Sequence, residues 1–276
     1  MVTKAITATA IGINSYKIEV EVDVTNSLPN ISIVGLPDSA VSEARERVHS
    51  AIKNSGFSFP LGKVIVNLAP ADIRKEGTNF DLPIAIGILK EQGVAIPDDL
   101  QMAFLGELSL DGSLRKVNGI LPLVSGLKES GVTTVFVPFE NAKEAALVQG
   151  IKVYGAKHLG DIVNHFAETP LAQTTVNIEE YLTNNANTDY TYDFKDVKGQ
   201  QKAKKALEIA AAGGHNILMS GSPGSGKTLM AKCLASILPP LELQEALELT
   251  KIYSVSGLLE SDEPLMTKRP YRAVHH

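Results

Sequence analysis

Tryptophan is absent and cysteine occurs once, at Cys233, so no disulfide can form within the chain and a reducing compartment suits it. A cationic excess is missing too. Lys and Arg number 26 against 31 Asp and Glu, a net charge of -5, which argues against a generally basic nucleic-acid coat but leaves room for a local basic groove in an assembled ring. No apolar run approaches the ~20 residues of a membrane helix, and the opening "MVTKAITATAIGIN" alternates like a strand without the charged-then-apolar order of a secretion signal. A soluble cytoplasmic protein with no membrane partner is expected. The six histidines are scattered, and apart from His275 and His276 no pair has ligand spacing beside Cys or acid, so no metal centre built by side chains alone is expected.

What is present is the composition of folded domains: 44% hydrophobic and 21% charged residues over 276 positions, enough for two cores. Residues 1–167 mix strands with helices. "ITATAIGI" and "YKIEVEVDV" alternate with period two, and "DSAVSEARERVHSAIKNSG" opens on a capping Asp38 and closes at Gly56. "KVIVNLAP", "AFLGELSL", "TTVFVP" and "IKVYG" read as strands, with an apolar helix in "FDLPIAIGILKEQG" and further helices at 121–130, 141–149 and 158–166. The expectation is an α/β or α+β domain. Thr, Asn and Asp accumulate over 168–192, an exposed linker by composition. A second α/β unit, 193–276, begins with an amphipathic helix bounded by Gly213 and Gly214, then the buried-type strand "NILMSG", a glycine-rich loop and another helix. In that last helix Leu229, Met230, Cys233, Leu234, Ile237 and Leu238 recur at helical spacing, which places Cys233 in packed core. The basic stretches "ARERVHS" and "QKAKK" interleave with apolar residues and read as solvated helix faces.

The loop "GSPGSGKT" satisfies G-x-x-x-x-G-K-S/T at Gly221, Gly226, Lys227 and Thr228, with Ser222, Pro223, Gly224 and Ser225 between them. Backbone N–H groups must turn inward around a β-phosphate, which requires unusual backbone angles and close approach, and glycine permits both. Lys227 is expected to reach the β- and γ-phosphates of ATP, Thr228 to ligate Mg²⁺, and the following helix to direct its positive end at the anion.

The segment "DFKDVKGQQKAKKALEIAAAGGHNILMSGSPGSGKTLMAKCLASILPPL" resembles the start of the AAA+ module in the magnesium-chelatase-like family of the ComM and YifB type. That resemblance implies that Val197, Gly199 and Gln200, in "DVKGQ", help to hold the adenine. The ending "KRPYRAVHH" is similar to the family's R-P-F-R-x-P-H-H stretch, with Tyr271 for Phe and Val274 for Pro. Further upstream, "AFLGELSLDGSLRKVNGILPLVSGLKESGVTTVFVPFENAKEAALV" is similar to the proteolytic domain of Lon proteases and to the C-terminal domain of RadA, which implies a ribosomal S5 domain 2-like fold for 1–167. It also implies that "LRKVNG" lies at a loop facing a ring channel. For the full-length protein the family implies a homo-hexameric ATPase acting on branched or single-stranded DNA in recombination during natural transformation. A chelatase-type motor subunit and an ATP-binding scaffold without turnover remain alternatives.

A Ser-Lys protease needs a hydroxyl nucleophile and a desolvated lysine. Against the Lon pattern, Asn79 stands at the serine position and Leu121 at the lysine position, while Lys128, Ser125 and Ser130 read as a helix surface and Ser39 follows the Asp38 cap. No catalytic residue is therefore assigned and proteolysis is not expected. ATP hydrolysis needs an acidic strand end, and the acids after Thr228 lie in "LELQEALELT" and "LESDEP", a helix and a loop by pattern. The expectation is the N-terminal portion of a longer protein, one that binds ATP without turning it over.

Overall fold

The computed structural model describes residues 2–184, 190–260 and 263–271. Its contacts divide the chain into two units, one holding the residues up to Val176 together with Thr250–Pro264, the other Asn177–Leu249 with the residues from Leu265.

The first unit is α/β. Strands β1 (Thr3–Ile11) and β2 (Asn14–Thr25) form a hairpin turning at Gly12, where φ is 62°. Then come β3 (Asn30–Val34), helix α1 (Ser39–Asn54), β4 (Lys63–Ala69), α2 (Asp81–Glu91), β5 (Met102–Phe104) and the short ribbon β6 (Glu107–Leu108) with β7 (Leu114–Arg115). Helix α3 (Ile120–Glu129), β8 (Thr134–Pro138), α4 (Ala142–Ala145), β9 (Lys152–Ala156), α5 (Leu159–Ala167) and β10 (Gln173–Thr174) complete it. The main sheet has the order β10-β9-β8-β5-β1-β2-β4-β3, parallel from β9 to β1 and between β4 and β3, and antiparallel elsewhere.

Alternation along each strand feeds two cores. Ala5, Ile18, Val20, Val22, Val64 and Val66 face α1, α2 and α5, whereas Ile6, Ala8, Ala103, Val135 and Val137 face α3 and α4. Helix α1 starts where the Asp38 carboxylate accepts the Val41 N–H at 2.8 Å and buries Val41, Ala44, Val48, Ala51 and Ile52 at three- and four-residue spacing. Helix α2 is apolar on every side because it is covered on every side: residues from Asp81 to Leu89 are all buried. A Cβ on Gly87 would stand 2.6 Å from Val22 Cγ2, so this helix rests directly on β2.

Two elements of this unit differ from the sequence reading. The expected helix over 141–149 is a single turn, α4, after a 3-10 turn at Phe139–Asn141. The stretch read as a linker holds β10, which extends the sheet alongside β9.

The second unit contains α6 (Ile178–Asn184), a 3-10 turn at Phe194–Asp196, α7 (Gln201–Gly213), α8 (Lys227–Cys233) continuing as a 3-10 turn at Leu234–Ile237, and α9 (Leu243–Val255), whose residues from Thr250 belong to the first unit. Phe194, Val197, Leu207, Met230 and Cys233 form its core, as the helical spacing around Cys233 requires. The strand expected in "NILMSG" does not form. No strand occurs among the described residues of this unit, so the backbone of 216–220 has no neighbouring strand to exchange hydrogen bonds with, and Leu218 is 95% exposed. The α/β character expected there is thus absent from the described residues, which are helix and loop.

Candidate functional site

The glycine-rich loop runs from the exposed segment before Gly221 into the first turn of α8. Gly224 and Gly226 adopt φ of 77° and 85°, the left-handed region that a side chain resists, and Gly226 is the residue from which α8 starts. No atom of a non-adjacent residue lies within 4 Å of a Cβ built on either, so the loop is open around both glycines. Lys227 folds its ammonium back over that opening. Its Nζ donates to the Gly221 carbonyl at 2.8 Å, the Ser222 carbonyl at 2.8 Å and Ser225 Oγ at 3.2 Å. Thr228 is exposed beside it. A cation held at the mouth of an open, left-handed turn is the arrangement an anion with several oxygens can enter, taking over the donors that the loop carbonyls now occupy.

The "DVKGQ" turn meets this loop through one side chain. Gln200 Nε2 donates to the Ser225 carbonyl at 2.8 Å across 25 residues of sequence. Gly199 and Gln200 are exposed, both with positive φ, whereas Val197 is 5% exposed and packs in the core. The structure therefore brings Gln200 to the loop and makes Val197 part of the wall behind it. The Val197 carbonyl accepts from Lys204 Nζ at 2.9 Å, which ties the turn to α7, and the Phe194 N–H donates to Ser236 Oγ at 2.9 Å. Sequence reasoning missed Ser236, which belongs to no motif, and read Lys204 of "QKAKK" as part of a solvated face, whereas its ammonium donates to the Val197 carbonyl. Of the "KRPYRAVHH" ending, Arg269 pairs with Glu245 at 2.7 Å, and the residues after Tyr271 lie outside the described residues.

In the first unit the two positions that the Lon resemblance sets against the catalytic pair, Asn79 and Leu121, are buried. Asn79 is 6% exposed and its Nδ2 donates to the Ala8 carbonyl at 2.9 Å, while Leu121 is 1% exposed. The fully buried lysine of this region is Lys75, whose Nζ donates to the Pro70 carbonyl and whose pKa is lowered by desolvation. Lys128 is on the exposed face of α3, as its pattern implied. Nearby, Glu144 is buried and accepts from Leu121 N at 2.9 Å, from Asn141 Nδ2 at 3.3 Å and from Ser254 Oγ, with burial raising its pKa.

Comparison with known proteins gives two family matches, described as "Subunit ChlI of Mg-chelatase" over residues 20–141 and "Magnesium chelatase, subunit ChlI" over 193–276. The chain is 41% identical to YifB of Salmonella typhimurium over 276 residues, covering 98% of this chain and 52% of that protein. It is 40% identical to competence protein ComM of Haemophilus influenzae over 273 residues, covering 97% and 52%. Lon protease 2 of Bacillus subtilis is 25% identical over 170 residues, covering 56% and 30%. The chain spans about half the length of the YifB and ComM relatives it matches.

Proposed function

The chain belongs to the magnesium-chelatase-like family of the YifB and ComM type, and from that premise we propose that its second unit is an ATP-binding element of a AAA+ motor. The observation that carries the proposal is Lys227 Nζ, held over an open turn by Gly221, Ser222 and Ser225. On this reading the loop Gly221, Ser222, Pro223, Gly224, Ser225 and Gly226 wraps the phosphates, with backbone N–H groups donated by all of them but Pro223, which has none and shapes the turn. Lys227 supplies the positive charge, and the Thr228 hydroxyl holds Mg²⁺. Val197, Gly199 and Gln200 form the adenine side, Gln200 through its bond to Ser225 and Val197 as packed wall. Bound Mg·ATP supplies the phosphoanhydride whose recognition drives motion in such motors. We propose that this chain binds it without turning it over.

For the whole protein we propose a cytoplasmic homo-hexamer acting on branched or single-stranded DNA, in the competence-linked role that the name of ComM carries. The domain boundaries proposed are an S5 domain 2-like, non-catalytic module over 1–167, a linker over 168–192 and the start of the AAA+ module over 193–276. Partial likeness to Lon protease 2 supports the first of these. Both family matches are to the chelatase subunit ChlI, which keeps a chelatase-type motor as the second reading.

Titration of the purified chain with a fluorescent ATP analogue tests the site. Expected are Mg²⁺-dependent saturation and its loss in Lys227→Ala; equal binding by the variant would overturn the assignment. Binding to a four-way DNA junction at low salt, where phosphate contacts are strongest, separates the DNA reading from the chelatase reading.

A further inference from the structure

We propose that the groove between α1 and β3 docks an extended, acidic peptide segment of a partner protein, which adds to the sheet as a new strand. Strand β3 is the last in the sheet order, and among the described residues it pairs with β4 alone, so the other edge of its five residues is unpaired by any strand. At the start of β3, beside the segment 59–62 that leads into β4, opens a cavity of about 440 Å³. Pro29, Ile31, Phe59 and Leu61 supply its apolar lining, and Leu61 is 90% exposed, an apolar surface that water alone covers poorly.

The opposite wall is cationic. Arg45, His49 and Lys53 follow one another at four-residue spacing along α1 and all line the cavity. Glu46 is the single acid in the lining, and its carboxylate lies 3.6 Å from the Arg45 guanidinium. A free strand edge, an apolar floor and a basic wall together select a segment that is extended, alternates aliphatic with acidic residues, and offers a backbone to pair. The same features disfavour a nucleic acid. Phe59 and His49 already pack on one another as a T-shaped pair with centroids 4.7 Å apart, and the lining holds no other aromatic ring on which a base could stack.

Fluorescence anisotropy with the full chain and a labelled peptide of about nine residues alternating valine with glutamate tests this, the length covering β3 and its flanks. Expected are saturable binding and a Kd raised about tenfold or more in Arg45→Glu combined with Lys53→Glu. Leu61→Asp weakens binding as well. Methylating alternate peptide amides abolishes binding in one register and spares it in the other, because only one set of N–H groups faces the edge. No saturation, equal effects of the two methylated registers, or undiminished binding by a charge-reversed chain with native circular dichroism overturns the proposal. Displacement of the peptide by a lower concentration of oligothymidylate overturns it in favour of a nucleic-acid surface.

Discussion

Replacing Arg47 by Ala should destabilise the first unit by about 3–5 kcal/mol at pH 8 and by only ~1 kcal/mol at pH 5. Asp81 opens α2 fully buried, and Arg47 of α1 grips both of its carboxylate oxygens, at 2.7 and 2.9 Å. The Leu108 N–H adds a third contact at 3.1 Å, and Arg47 also donates to the Ala40 carbonyl at 3.0 Å. Desolvation pushes the Asp81 carboxyl up to about 6 even though Arg47 pulls it down. Without the guanidinium that pull is gone and the folded-state value rises further. A carboxyl whose folded pKa lies above its unfolded value of about 3.9 adds stability at low pH and loses it as pH climbs through the folded value. In the parent chain that loss ends near pH 6. In the variant it continues above pH 6, so the penalty is largest in alkali. At pH 5 both chains carry a mostly protonated Asp81, and what remains is the lost packing and the bond to Ala40. Thermal melts should show a drop near ~10 °C at pH 8 and a few degrees at pH 5, at roughly 2–4 °C per kcal/mol for a unit of this size. An equal drop at both pH values, or one under ~1 kcal/mol at pH 8, would refute the reasoning. Arg47→Met with Asp81→Leu, which removes both charges, should recover most of the loss.

Gly87→Ala raises helix propensity by ~1 kcal/mol, yet its methyl meets Val22 at 2.6 Å, so net destabilisation of about 1–3 kcal/mol by chemical denaturation is expected. Asn79→Ser places a hydroxyl at the Lon nucleophile position. With Leu121 at the lysine position and Lys75 engaged by the Pro70 carbonyl, the variant should stay unlabelled by a fluorophosphonate probe, and labelling of the introduced hydroxyl would contradict the sealed geometry. Gln200→Ala should weaken binding of the fluorescent ATP analogue several-fold while leaving the first unit's melt unchanged; a shift of that melt instead would assign the side chain a different role.

Much of the first unit was legible because its signals are local. Alternation gives β1, β2 and β4, the Asp38 carboxylate and Gly56 bracket α1, and the apolar run of α2 marks a buried helix. Strand β3 was not legible, since "NISIV" is short, sits at a sheet edge and owes its place to parallel pairing with β4, a contact across the whole of α1. The Arg47–Asp81 pair was equally invisible, its members lying 34 residues apart and matching no motif. In the second unit the loop was legible from four residues at fixed spacing. The strand in "NILMSG" was read from apolar content alone, and that content does not form a strand without a neighbour to pair with. Gln200 came from family likeness, and no periodicity marks it.

Gln200 holds a left-handed backbone, with φ of 52°, at a cost of about 1–2 kcal/mol that its bond to the Ser225 carbonyl helps to offset. Two pieces of chain thereby share one fastening. If the loop turns its Ser225 carbonyl to admit a phosphate, the amide of Gln200 loses its acceptor at that moment, and the strained residue at the head of α7 is released. Movement of the loop and the freeing of that helix end would then be one event, carried by the single Gln200–Ser225 bond.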